Sequence, residues 1–193
     1  MIITAALFAL TLQSSEFIAT CDVAFTINRT FADDIEVSCT DTDDIAGAEA
    51  EALRQVSWER DYSEYLIERN GDRIETTLTL YGDRTDDGID WWGESQLLVR
   101  LRTQYPIRAN FAEARATCMV VYNVRNGFTR VVDSRCNARE QAESFGRSAR
   151  NTVRRYIYSR GRDVDCLILG INYMMDGGDD PDWPATPPCE AED

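Results

Sequence analysis

The sequence predicts an α+β protein made of two tandem β-β-α-β units, each a small antiparallel sheet with one packed helix. Residues 21–39 and 118–136 are equally long, and each begins and ends with Cys. Shifting the chain by 97 residues aligns these two stretches and superposes their alternating apolar residues. A run with helical spacing and a further strand-like run follow each stretch. An internal repeat explains all three observations, with helices on one side of antiparallel sheets.

Each repeated stretch predicts a β-hairpin. Apolar residues alternate after the first Cys, which is typical of a half-buried strand. Asn126-Gly127 provides the turn of the second hairpin, since both residue types tolerate positive φ. The first hairpin has the weaker turn sequence Asn28-Arg29-Thr30 at the same place.

Hairpin geometry predicts two disulfide bonds, Cys21–Cys39 and Cys118–Cys136. Residues that face each other across a turn centred on 127 have numbers summing to 254, as 118 and 136 do. A three-residue loop or a β-bulge gives that register, whereas a strict two-residue turn does not. Closing such a loop stabilises a domain by about 3 kcal/mol. The remaining pair, Cys166 and Cys189, is predicted to join the C-terminal tail to the last strand.

Helical periodicity predicts one helix per unit. Its apolar positions are Ile45, Ala48, Ala52 and Val56 in the first unit, and Ala142, Phe145, Ala149 and Val153 in the second. Strand-like runs follow at 73–81 and 163–173. The predicted domains are therefore units at 20–83 and 105–176, an acidic, Trp-containing linker at 84–104, and a flexible, acidic, Pro-rich tail at 177–193. Trp91-Trp92 is expected either to pack the units together or to form an exposed recognition patch.

The N-terminus predicts export. Ile2 to Leu12 is almost continuously apolar, long enough for a signal-peptide core and shorter than a membrane span, so residues 1–19 are expected to be a signal peptide. Cleavage after Ser14, Ser15 or Ala19 is compatible with the sequence. A buried N-terminal segment and lipidation of Cys21 are the alternatives. Six Cys also favour an oxidising compartment, and no transmembrane span is expected.

Composition narrows the functional classes. The chain has no His and no Lys, and its 20 basic residues are all Arg. Its formal net charge is −14. Without His or Lys, a Ser-His-Asp triad, a P-loop and Schiff-base chemistry are excluded. The negative charge argues against nucleic acid and anionic membranes as partners. We expect a protein that is not an enzyme and needs no cofactor.

The second unit resembles a TonB C-terminal domain. The resemblance depends on the order of several motifs, whose residues are Tyr105, Pro106, Ala109, Gly127, Phe145, Ala149, Tyr156 and Tyr158. Tyr156 stands where the family has Trp, and Arg160 replaces a usual Pro. Residues 20–83 resemble a degenerate second copy, with Trp58 at the aromatic position.

The resemblance implies a protein-binding module of the Gram-negative periplasm. Its partner would be an envelope protein, such as a TonB-dependent outer-membrane receptor engaged in transmembrane transport. Binding would occur by β-augmentation, in which an extended peptide pairs with an open sheet edge. The implied edge is the last strand, with Leu167, Leu169, Ile171 and Tyr173. The chain has five Pro and no long Pro-rich segment, so a free-standing adaptor, a receptor-binding competitor or an envelope scaffold fits better than a complete transducer. The sequence also leaves open the formation of a homodimer.

A secreted Ca²⁺- or glycan-binding module is the alternative. Asp83, Asp87 and Glu94 fall at positions 1, 5 and 12 of an EF-hand loop, and Gly88 falls at position 6. Asp90 occupies position 8, where that loop needs an apolar residue. These three carboxylates are therefore weak metal candidates.

Overall fold

Alternating apolar residues build most of this molecule as antiparallel sheet. The computed structural model describes residues 17–29, 31–58, 69–107, 114–138, 140–174 and 182–189. Within these ranges the strands are β1 (Phe17–Asn28), β2 (Phe31–Thr40), β3 (Arg73–Thr85), β4 (Gly88–Trp92), β5 (Leu97–Val99), β6 (Ala116–Arg125), β7 (Phe128–Asn137), β8 (Ile157–Tyr158) and β9 (Val164–Tyr173). The helices are α1 (Ile45–Val56) and α2 (Ala142–Arg154).

The first sheet has the strand order β2-β1-β3-β4. In β1 the odd-numbered residues from Ala19 to Ile27 are buried and the even-numbered ones face outward, so the strand presents one apolar face. Helix α1 covers that face with Ala48, Ala52 and Val56. Its N-cap is Asp44, whose carboxylate accepts a hydrogen bond from the Gly47 backbone N–H at 3.2 Å.

The second sheet has the order β7-β6-β9 and is covered by α2. Cys118, Val120, Tyr122 and Val124 of β6 face the helix, which contributes Phe145, Ala149 and Val153 to the core. Both helices begin at the same place in the repeat, since Ile45 and Ala142 are 97 residues apart. The periodicity thus predicted both helices correctly.

The two hairpins share their register and their bulge. Cys21 faces Cys39 and Cys118 faces Cys136, and both pairs are disulfide-bonded, with Cα–Cα distances of 4.0 and 4.1 Å. In β6–β7, Arg125 faces Phe128 across a two-residue turn, and the register shifts by one residue further along the hairpin. The first hairpin shifts at the equivalent position, between Ala24 and Thr26. A β-bulge, rather than a three-residue loop, therefore brings the Cys residues opposite each other.

A third sheet, β5 with β8, joins the two larger ones. The backbone N–H of Ser159 donates to Gln96 O at 2.8 Å, and that of Arg160 donates to Gln55 O at 2.8 Å. Ile157 of β8 is 1% exposed and belongs to the core of the first sheet. The chain that follows α2 thus reaches across the molecule before it returns as β9.

The predicted fold class is wrong. Of the described residues, 52% lie in strands and 18% in helices, and the three sheets are not two units with one sheet and one helix each. The segment 84–104, expected to be a linker, forms β4 and β5. Short strands in an acidic, Trp-rich segment carry little periodicity, and β8 has only two residues, so the pattern did not reveal the third sheet.

The predicted signal peptide lies mainly outside the described residues, since only 17–19 fall within them. These three residues open β1, where Ala19 is fully buried and faces Leu80 of β3. Of the helices within the described ranges, none combines the length and apolar character that crossing a membrane requires. Three disulfide bonds are consistent with an exported protein.

Candidate functional site

The strand predicted to bind a partner, β9, lies at the edge of the second sheet. It pairs with β6 from Ala116↔Tyr173 to Val124↔Val164, and among the described strands none pairs with its other edge. An unpaired edge presents a row of backbone N–H and C=O groups that another strand can use. The location expected for β-augmentation is thus available in this part of the chain.

The four predicted partner-binding side chains point toward the core. Ile171 and Tyr173 are 4% and 3% exposed, and Leu167 and Leu169 are half-buried against the same core. Ile168, which sequence reasoning did not single out, points the other way and is 50% exposed. A partner strand would therefore contact the backbone of β9 and Ile168, and only the margins of Leu167 and Leu169.

Charge distinguishes β9 from the other edge strands of the two larger sheets. Strand β2 contains Asp33, Asp34 and Glu36, strand β7 contains Arg130, Asp133 and Arg135, and strand β4 contains Asp90. From Cys166 to Tyr173, β9 has no charged residue. Asp165 at the start of β9 is paired with Arg125, so the eight residues from Cys166 to Tyr173 lack the charged side chains that normally protect an edge from pairing with other chains.

The C-terminal tail lies across the outer face of this sheet. Asp182 O accepts hydrogen bonds from Thr117 Oγ1 at 2.7 Å and Asn137 Nδ2 at 2.9 Å. Trp183 packs on Gly170, where a Cβ would lie 3.0 Å from the indole ring. The disulfide Cys166–Cys189, with a Cα–Cα distance of 5.2 Å, fixes the tail at the other end of β9. The predicted link between tail and last strand is confirmed.

Most of the residues that carry the TonB resemblance are buried in the second core. Tyr105, Phe145 and Tyr173 form an aromatic cluster with ring centroids 4.9 to 5.9 Å apart, and Ala149 packs in the same core. Gly127 forms the hairpin turn at φ +77°, and a Cβ there would lie 2.9 Å from Tyr158 O, so the position requires Gly. Pro106 is half-buried, and Ala109 lies outside the described residues.

Tyr156 and Tyr158 have polar partners in spite of their burial. Tyr156 accepts a hydrogen bond from Arg100 Nε at 3.2 Å, and the Tyr158 hydroxyl lies 2.6 Å from that of Tyr122. Burial raises the pKa of Tyr158 and of Tyr122 above the usual range, because neither phenolate would be solvated. Burial also raises the pKa of Tyr173 to about 12. Tyr122, Tyr158 and Tyr173 are therefore neutral at physiological pH.

The two adjacent Trp residues have different environments. Trp91 is 7% exposed, packs in the first core and donates from Nε1 to Asp44 Oδ2 at 2.9 Å. Trp92 donates to Asp83 Oδ2 at 3.0 Å, and the guanidinium carbon of Arg162 lies 3.3 Å from its ring centroid. Since Arg162 precedes β9, this cation–π contact links the first sheet to the second.

The acidic segment of the metal alternative is a β-hairpin. Strands β3 and β4 meet at a turn at Asp86 and Asp87, and Asp83 faces Asp90 across the ladder. An EF-hand loop instead wraps its ligands around one ion. The Asp83 carboxylate accepts a hydrogen bond from the Trp92 indole, and the backbone of Glu94 forms a β-bridge with that of Arg162. No cluster of three or more His, Cys, Asp or Glu suited to a metal ion occurs within the described ranges.

A signal that the net charge conceals is the distribution of charge along the chain. Residues 1–96 carry six Arg against 21 Asp and Glu, a formal charge of −15. Residues 97–174 carry 14 Arg against six Asp and Glu, a formal charge of +8. The last 19 residues carry seven acidic residues and no Arg. Counting by segment would have shown that the part containing the candidate edge is basic.

Comparison with protein-family models and with curated proteins gives no match. The resemblance to the TonB C-terminal domain therefore stays a prediction from motif order.

Proposed function

We propose that this protein is an exported binding module that captures an extended segment of a partner protein at the outer edge of β9. The observation that carries the proposal is the run from Cys166 to Tyr173, eight uncharged residues of an edge strand in a strongly charged protein. Half-buried Leu167 and Leu169 would be covered by the side chains of an added strand. Main-chain hydrogen bonds would give affinity and the apolar residues selectivity.

The finer form of the proposal is a TonB-like role in the periplasm. On this reading the partner is an envelope protein, with a TonB-dependent outer-membrane receptor as the first candidate. The support is the order of the family motifs and the edge position of β9. The protein would act by contact and not by catalysis, because it has no His or Lys to supply the usual nucleophile and base chemistry.

In-cell crosslinking tests the edge. A photoreactive residue replaces Ile168, which is half exposed, and in a matched control it replaces Glu75, an exposed residue of β3 at the corresponding place in the first sheet. We expect a discrete crosslinked envelope protein from position 168 and none from position 75. Equal capture at both positions, or none at 168, would contradict the proposal.

A second variant makes β9 resemble a protected edge. Ile168→Glu introduces a carboxylate at an exposed position, so we expect the fold to be retained and crosslinking from a neighbouring photoreactive residue at Asn172 to be lost. The Tm, measured by circular dichroism, checks folding. Retained crosslinking in a folded Ile168→Glu protein would show that the partner does not use this edge.

A further inference from the structure

A groove lies between residues 104–107 and the solvent-facing side of α2. It encloses about 290 Å³ and is lined by nine residues that include Arg147 and Arg155 but no Asp or Glu. The remaining polar side chains are neutral; Gln104 and Asn151 carry amide donors, whereas the Ser148 hydroxyl already donates to Gln104 O. In a protein with a net charge of −14, a groove lined by cations and neutral donors is unusual.

Both Arg side chains are placed to bind an anion. Arg147 donates to Glu143 Oε1 at 2.9 Å, but the two side chains are 68% and 85% exposed. Such a pair is weak, so a ligand carboxylate can displace Glu143. Arg155 is held by a hydrogen bond from its Nε to Asn151 O at 3.0 Å, and its charge lowers the pKa of Tyr173, which burial raises. A guanidinium can bind a carboxylate through two parallel hydrogen bonds.

The floor and the end of the groove add two further features. The Tyr105 hydroxyl is buried and has no hydrogen-bond partner among the described residues. An unpaired buried hydroxyl is costly, and a bound acceptor would satisfy it. Ile107 at the end of the groove is 75% exposed and offers an apolar contact beside the cations.

We propose that this groove binds an acidic peptide segment of a partner protein, through carboxylates on Arg147 and Arg155. Charge complementarity identifies the ligand, because residues 97–174 carry a formal charge of +8. The size of the groove favours a few carboxylates over a long polyanion. Residues 1–96, at −15, would repel an extended nucleic acid. This proposal is independent of strand addition at β9, since it uses other side chains.

Fluorescence anisotropy with a fluorescein-labelled hexa-aspartate peptide tests the site on the oxidised full chain. We expect saturable binding that Arg147→Ala weakens about fivefold and that Arg147→Ala with Arg155→Ala weakens further. Arg154→Ala is the matched control, because Arg154 is exposed on the same helix but does not line the groove. Its affinity should stay within about twofold of the unaltered protein.

Glu143→Gln provides a test in the opposite direction. Removing the competing carboxylate should strengthen binding of the peptide about twofold, an effect that damage to the fold would not produce. Absence of binding, or an equal loss with Arg154→Ala, would overturn the proposal. So would tighter binding of a single-stranded oligonucleotide, or of phosphatidylglycerol vesicles, that depends on Arg147. Peptide binding that leaves crosslinking from position 168 unchanged would show that the groove and the β9 edge are different binding sites.

Discussion

The strands β3 and β9 occupy equivalent places in the two larger sheets and differ in their exposed halves. Cys21 faces Leu78 of β3, and Cys118 faces Ile171 of β9, which fixes the equivalence. The five residues before Leu78 read Arg-Ile-Glu-Thr-Thr, and the five before Ile171 read Cys-Leu-Ile-Leu-Gly. Both segments are incompletely buried, yet one is polar and the other apolar. The proposed strand addition at β9 rests on this difference in chemistry, since the polar residues of β3 suit contact with water and the apolar residues of β9 suit contact with an added strand.

Removal of a hairpin disulfide is expected to have the largest effect on stability, and it compares the two halves of the repeat directly. The two hairpin bridges have the same sequence separation, 18, so the chain-entropy model predicts equal stabilisation of about 3 kcal/mol each. Cys21→Ala with Cys39→Ala and Cys118→Ala with Cys136→Ala should lower the free energy of unfolding by similar amounts in urea titrations. A difference of more than about 2 kcal/mol would show that the hairpins are not energetically equivalent.

The buried tyrosine pair, Tyr122 of β6 and Tyr158 of β8, belongs to the core beneath the second sheet and has no counterpart among the described core residues of the first. Tyr158→Phe leaves the Tyr122 hydroxyl buried without its 2.6 Å partner, so we expect a loss of about 1–3 kcal/mol in the free energy of unfolding. The double variant with Tyr122→Phe should lose less than twice that amount, because no orphan hydroxyl remains. Chemical denaturation of the three variants measures the coupling, and additive losses would contradict it.

Alkaline pH should distinguish the two sheets. Tyrosines whose folded-state pKa is raised stabilise the fold fully below about pH 10, their unfolded value, and this contribution is lost as pH rises above it. For Tyr173 the loss extends to about pH 12. Absorbance at 295 nm reports tyrosine ionisation, while fluorescence of a Trp183→Phe variant reports Trp58, Trp91 and Trp92 at the first sheet, since Trp183 packs on Gly170 of the second. As pH rises, we expect cooperative tyrosine ionisation at a lower pH than the fluorescence change. The reverse order would contradict the prediction that the second sheet is lost first.

The smallest expected effect lies in the turn of the first hairpin. Arg29 has φ +45°, close to the +49° of Asn126 in the second hairpin. Since Asn tolerates this conformation better than Arg, Arg29→Asn should raise the free energy of unfolding by about 0.5 kcal/mol. The control Asn126→Arg should lower it by a similar amount. An unchanged stability in both variants would show that turn strain does not separate the hairpins.

Local patterns predicted the hairpins, the helices and the disulfides, because each depends on spacing within about 20 residues. The strands β5 and β8 were missed, since their pairing joins Leu97 to Tyr158 and leaves no periodic signal. Strand β4 was missed although it pairs locally with β3, because its five residues lie in an acidic segment that resembles a linker. The edge position of β9 could be inferred only through the family resemblance. Ile168 was not predicted, because the alternation of β9 identifies the residues of its core face and Ile168 lies on the opposite face. The groove beside α2 requires the fold, as Tyr105 and Arg147 are far apart in sequence.

The three disulfides join consecutive cysteines along the chain: 21 with 39, 118 with 136, and 166 with 189. No bridge encloses or crosses another. In an export that begins at the N-terminus, as we propose, the first, third and fifth thiols each meet their native partner as the next thiol to emerge, before any later thiol can compete. An oxidase that joins cysteines in order of appearance would produce the native connectivity directly, without subsequent reshuffling by an isomerase.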